Sequence, residues 1–240
     1  MGAVHSGKFY KASVSFKALR FLGRILFRLM FRIKVVGRHN LPREGGYIIA
    51  GNHLSWIDAF LILAFCPSEP RVFFIAAREE VYFPRWRRIF TEKVGGVIAI
   101  DRDKGMNREL IEKVRETLEG GGVLGIFPEG DVSAIETGRI LPLKRGMGMF
   151  AGMSGAPIVP VAFSGTKELW LGKHLRMTIG VPIPGEKGGK DITNKQTEVA
   201  SKAIAAMLTP PQPIPEGPKI LRKFLTELFT QEVKEHPIPD

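Results

Sequence analysis

Two side chains suited to proton transfer stand five residues apart in Gly51-Asn52-His53-Leu54-Ser55-Trp56-Ile57-Asp58-Ala59-Phe60. Apolar runs flank them on both sides, Tyr47 to Ala50 before and Ala59 to Cys66 after. A carboxylate on one ring nitrogen of His53 would fix the imidazole tautomer and leave the other nitrogen free to accept a proton. Such a pair is a general base with its orienter, without a protein nucleophile, so the attacking hydroxyl must come from a substrate. A second reading fits the same letters. Ser55 can serve as N-cap of a helix with Asp58 near its third position, a variant capping box in which Asp58 also favours the positive end of the helix dipole. The two readings are compatible, because the cap would hold Asp58 in place.

Three further segments lie at predicted strands, and the first two end theirs in polar residues. They are Gly96-Val97-Ile98-Ala99-Ile100-Asp101-Arg102, Phe127-Pro128-Glu129-Gly130 and Ala156-Pro157-Ile158-Val159-Pro160-Val161. Other motifs fail on context. Gly120-Gly121-Gly122-Val123-Leu124-Gly125 has dinucleotide-motif spacing but follows a predicted helix and opens a strand, the reverse of what that motif needs. Gly152-Met153-Ser154-Gly155-Ala156 lacks the final glycine of the hydrolase elbow. No two of the five histidines sit at metal-ligand spacing, and the single cysteine, Cys66, excludes an internal disulfide and reads as a small buried side chain. No cofactor is expected.

Strands are predicted at 34–36, 47–50, 71–76, 97–100, 123–127, 158–163 and 175–179. Helices are predicted from Ser55 to Ala64, Met106 to Leu118, Gly146 to Ser154 and Thr193 to Leu208. Alternation of this kind implies an α/β fold, a mostly parallel mixed sheet flanked by helices. His53 then falls in a loop at the carboxyl end of a strand, where sites of open α/β sheets lie. The chain divides into a basic segment 1–33, an α/β domain 34–209, and a Pro-rich linker with a tail helix over 210–240.

Charge is concentrated at one end. The formal net charge is +11, and residues 1–43 hold ten cations and no acid, while the remainder is nearly neutral. Over residues 16–32, Lys17, Arg20, Arg24, Arg28 and Arg32 share an arc of roughly 120° on a helical wheel. Leu19, Leu22, Ile25, Leu26, Leu29 and Met30 share another. This is the pattern of a helix lying on an anionic membrane, with the five cations as expected membrane contacts. Docking of the helix on its own domain and an organelle transit peptide are the competing readings. Leu, Met and Phe on the other face argue against nucleic acid. No stretch of about 18 uncharged apolar residues exists, so a spanning helix is not expected.

Taken in order, the N-H-x-S-x-x-D, G-x-I-x-I-x-R, F-P-E-G and A-P-I-V-P-V blocks resemble the four motifs of the lysophosphatidate (1-acylglycerol-3-phosphate) acyltransferases, over about Val35 to Leu208. The resemblance implies an O-acyltransferase acting between an acyl thioester, carried by acyl carrier protein or coenzyme A, and a lyso-lipid acceptor. It implies His53 as base and Asp58 as orienter, with Arg102, Glu129, Gly130 and the basic residue Arg78 around the acceptor. It implies a peripheral or monotopic protein on the cytoplasmic face of a membrane. One departure stands out: the family's third block continues E-G-T-R-S, with an Arg on the acceptor phosphate, whereas this chain reads Glu129-Gly130-Asp131-Val132-Ser133. Loss of such a contact costs about 1.5–3 kcal/mol. Arg139, Lys144 and Arg145 are candidate substitutes beside Arg78 and Arg102. Without a substitute the acceptor would be a glycolipid or aminolipid. A hydrolase and a silent membrane-binding domain are the alternatives from other classes.

Overall fold

The structure is a computed structural model that describes residues 11–77, 96–100, 106–130, 136–211 and 213–229. Arg78 and Arg102 lie outside these residues. Helix α1 (Val14–Met30) opens the described chain, with the Ser13 side chain accepting from Phe16 N at 3.2 Å as its N-cap. After it come β1 (Arg32–Val36), β2 (Tyr47–Gly51), α2 (Ile57–Phe65), β3 (Val72–Ala77) and β4 (Val97–Ile100). Then follow α3 (Arg108–Glu119), β5 (Val123–Ile126), α4 (Gly146–Ser154), β6 (Ile158–Ser164), β7 (His174–Ile179), α5 (Lys190–Met207) and α6 (Arg222–Phe229).

The seven strands form one sheet in the order β1-β7-β6-β2-β5-β3-β4. β6, β2, β5, β3 and β4 run parallel; β7 is antiparallel to β6, and β1 is parallel to β7. Strand β2 is buried along its whole length, and its side chains divide by the period of two. Tyr47 and Ile49 join a cluster with α1, α2 and α6, while Ile48 and Ala50 join one with α3, α4 and α5. Crossovers therefore cover both faces, which is why the central strands read as continuous apolar runs. The chain leaves β2 along one face of the sheet and returns to its two neighbours, β5 and β6, along the other. That change of direction opens a crevice at the carboxyl end of β2. Cys66 is buried, and burial pushes its thiol up to about 12.

Helix α1 docks on its own domain through part of its basic row, the competing reading of the sequence. Arg20 donates through Nε to Leu63 O at 2.8 Å and through Nη2 to Cys66 O, and Arg24 Nε donates to Ala64 O at 2.9 Å. Lys17 pairs with Glu69 at 2.8 Å, and Arg28 lies over the Phe65 ring at 5.4 Å. Arg32 belongs to β1, not to the helix. Arg20 and Arg24 thus turn inward, while Lys17, Arg28 and Arg32 stay exposed, so the basic row is split between the domain and solvent. The cause is the carboxyl end of α2, whose last carbonyls have no partner inside the helix and whose dipole end is negative. Burial and the neighbouring Arg24 lower the Arg20 guanidinium to about 10. The apolar side of α1 also faces solvent, with Leu22 61% and Leu29 79% exposed. The tail helix divides its apolar residues: Leu225 and Phe229 are buried beside Phe27 and Phe60, while Ile220, Leu221 and Phe224 are exposed.

Candidate active site

The site is built where the chain leaves β2. Asn52 is buried and extends the sheet by one rung, donating through Nδ2 to Phe163 O at 3.1 Å and accepting from Phe163 N at 2.8 Å. Ser55 Oγ donates to Thr166 O at 2.7 Å. These contacts fasten the loop to β6 and the turn after it, with His53 held between them.

Asp58 sits in the first turn of α2 with no exposed surface. Its Oδ2 accepts from Leu54 N at 2.7 Å, from Ser55 N at 2.9 Å and from His53 Nδ1 at 3.1 Å. The capping box is therefore half formed. The carboxylate reaches back to the Ser55 N–H, but the Ser55 hydroxyl faces Thr166, and Asp58 N donates to Ser55 O at 3.0 Å instead. The helix starts at Ile57 with Trp56 before it, rather than at Ser55. Since Oδ2 already accepts two backbone N–H groups, Nδ1 must be the donor of the third bond, and a neutral His53 presents Nε2 as a lone-pair acceptor. Among the described residues Nε2 has no hydrogen-bond partner, and the side chain is 15% exposed. Such an imidazole, with its tautomer set by a buried carboxylate, can accept a proton at Nε2.

A stack of rings braces His53 from the side of β5. The Phe127 ring lies 4.0 Å from the imidazole at 11°, and Phe74 lies 6.1 Å beyond it at 5°. Room for Phe74 comes from its register partner Gly125, where a β-carbon would stand 2.5 Å from the ring. Past Phe127 the chain turns tightly, with Gly130 N donating to Phe127 O at 3.1 Å. Glu129 is buried, and Gly130 adopts φ +84°, a conformation that favours glycine. Lys144 folds onto this turn. Its N donates to Pro128 O at 2.7 Å, and a β-carbon on Gly130 would stand 2.1 Å from Lys144 Nζ. Arg139 and Arg145 are exposed on the segment leading to α4.

Two more charged groups act on the site. Burial lowers the Lys167 ammonium, and the Asp58 charge opposes that shift. Burial holds the Glu136 carboxyl above its ordinary range, against the Gly165 N–H and Lys173, which pull it down. Among the described residues no three His, Cys, Asp or Glu side chains gather in one place. Sequence reasoning brought His53, Asp58, Glu129, Gly130 and Lys144 to this region. It did not anticipate the roles of Asn52, Phe74, Gly125 and Phe127. The N of N-H-x-S-x-x-D and the F of F-P-E-G were the available signals for Asn52 and Phe127.

Comparison with known proteins agrees with this architecture. The chain is similar to the 1-acyl-sn-glycerol-3-phosphate acyltransferase of Bacillus subtilis, 29% identical over 164 residues, covering 67% of this chain and 78% of that one. The enzyme of the same name from Limnanthes douglasii is 31% identical over 164 residues, and the match spans 68% of this chain but only 54% of the plant protein. The crystal structure of the 1-acyl-sn-glycerophosphate (LPA) acyltransferase PlsC from Thermotoga maritima shares the fold, with a TM-score of 0.63 at 23% identity over 80% of this chain and 79% of that one. The Acyltransferase family profile matches residues 32–164, from the start of β1 to the end of β6, which takes in His53, Asp58 and the Phe127 turn. The chain belongs to the Acyltransferase family.

Proposed function

We propose that the protein transfers an acyl group from a thioester to the free hydroxyl of a lysophospholipid, 1-acyl-glycerol-3-phosphate giving phosphatidate. The observation that carries this reading is the 3.1 Å contact between His53 Nδ1 and the fully buried Asp58, with Nε2 left to face the crevice. His53 Nε2 takes the proton of the acceptor hydroxyl as its oxygen attacks the thioester carbonyl. Asp58 stabilises the imidazolium that forms. The tetrahedral oxyanion then collapses, the C–S bond breaks, and the departing thiolate takes the proton back from His53 to leave as a thiol. No cofactor enters this sequence; the thioester, on acyl carrier protein or coenzyme A, is a co-substrate.

Lys144 supports a phosphate acceptor. Its ammonium lies on the Glu129-Gly130 turn, within the sequence block that carries the Arg in the family. The membrane is met through apolar contacts: Leu22, Ile25, Leu26 and Leu29 of α1, with Ile220 and with Phe224 of α6, would seat in the lipid. Among the described residues no helix is long and apolar enough to cross a membrane. We assign the site to the cytoplasmic face, where acyl thioesters are made.

The test is acyl transfer by wild type and His53→Ala from acyl–acyl carrier protein or acyl-coenzyme A, with a panel of lyso-lipids in vesicles. Wild type should acylate lysophosphatidate, and His53→Ala should lose at least about 10²–10⁴-fold in rate. Turnover of a glycolipid or aminolipid acceptor in its place would replace the substrate and keep the chemistry. Equal rates in the two proteins would remove His53 from the reaction.

A further inference from the structure

The β1–β7 pair presents cations where strand pairing disfavours them. Arg32 lies in register with His174, and Lys34 with Arg176. Register partners on parallel strands share a face, so the basic side chains stand across from one another. Arg32 Nη1 reaches His174 Nε2 at 3.5 Å, which leaves Lys34 and Arg176 as the like-charge pair that destabilises the strands. The alternate residues of β7, Leu175, Met177 and Ile179, are buried in the core, so the register cannot slip to relieve the repulsion. Lys173 adds another ammonium at the start of β7. Among the described residues, none of Arg32, Lys34, Lys173 and Arg176 forms a salt bridge.

These side chains line a cavity of about 250 Å³. Its wall carries the Ser164 and Thr209 hydroxyls, 3.1 Å apart. Glu136 is the one acid among the lining residues, and its carboxylate is engaged by Gly165 N–H at 2.6 Å. The cavity is smaller than the roughly 300–1,000 Å³ of pockets that enclose drug-sized ligands, a size for a headgroup and not for an acyl chain. Because β1 and β7 run opposite to β6, their amino ends share the sheet edge at which β2 delivers His53.

We propose that this cavity is a binding site for a phosphate group, separate from the acceptor site at His53. A phosphate between the two rows of cations would convert the cross-strand repulsion into charge-assisted hydrogen bonds. An anionic lipid headgroup is the better source. Arg32 follows the last residue of α1 by two positions, so a helix seated in lipid by its apolar side would hold the cavity at headgroup level. A soluble phosphate ester is the other source. The inference does not rest on His53.

The experiment uses the full chain, the double variant Lys34→Gln/Arg176→Gln with its two single variants, and Lys195→Gln/Lys202→Gln as a control of equal charge on α5. Inorganic pyrophosphate at a hundredfold excess over its Kd should raise the Tm of wild type, the control and His53→Ala by roughly 5–10 °C. The shift should be absent in the double variant and reduced in each single one. Binding to phosphatidylcholine vesicles containing phosphatidylglycerol should fall about tenfold or more in the double variant only. Loss of the pyrophosphate response with vesicle binding intact keeps the site and assigns it to a soluble ester. An equal shift in wild type and the double variant, or none in wild type with vesicle losses matched by the control, would overturn the proposal.

Discussion

Replacing Asp58 with Asn isolates what its charge contributes. At 3.1 Å, two unit charges interact by about 5 kcal/mol at an effective dielectric near 20. His53 is partly open to water, so about 2–4 kcal/mol is the reasonable share, a fall in kcat of roughly 30- to 1,000-fold. The imidazolium exists only after proton transfer, so the loss should appear in kcat with KM for either substrate nearly unchanged. The amide oxygen can still accept from Leu54 N and Ser55 N, but without charge, at a stability cost of about 1–3 kcal/mol. That corresponds to a fall in Tm of roughly 2–10 °C, readable by calorimetry, and rates are best measured well below it. The decisive assay is a double-mutant cycle with His53→Ala. If Asp58 works through the imidazole, Asp58→Asn should cost almost nothing further in the His53→Ala background. A full additional loss in that background would refute the argument and reduce Asp58 to a loop fastener.

Leu26→Asp with Leu29→Asp should abolish vesicle binding at unchanged Tm, whereas Arg24→Ala should lower Tm by several degrees and leave vesicle binding intact; co-sedimentation and thermal melts separate the two. Gly130→Ala should displace Lys144 and raise KM for lysophosphatidate several-fold, with the thioester KM unaffected, as steady-state kinetics would register. For Glu136, a raised carboxyl means that the folded state binds the proton more tightly than the unfolded chain, so its contribution is fully present below the ordinary value of 4.5 and is lost as pH rises through the folded value. Glu136→Gln should therefore melt higher than wild type at pH 7, and the difference should close as pH falls toward 4.

Much of this molecule can be read from residue order. Apolar runs and the glycine and proline stops locate the seven described strands to within two residues at each end, because strands buried on both faces read as continuous apolar runs. His53 and Asp58 were legible because polar groups within an apolar run demand a reason. The facing of α1 was not. A helical wheel separates its two faces but cannot say which one meets protein, and the deciding partner, the bare carbonyl end of α2, lies some 40 residues on. The Phe74–Phe127–His53 stack also escaped, because it depends on register between β3 and β5, which no local pattern encodes.

Helix α1 passes into β1 through one residue, Phe31, which is 2% exposed and whose N donates to Phe27 O at 2.8 Å. Anchor and sheet are therefore welded, with no joint between them. Under the proposed seating of α1 in lipid, whatever angle the helix takes up the sheet edge carrying His53 must take up as well. Access to the acceptor is then set by the posture of the whole body, as a tool is aimed by its handle. Flexible residues inserted at position 31 would not be enough to free one from the other, because Arg20 and Arg24 hold the helix to the end of α2 as a second weld.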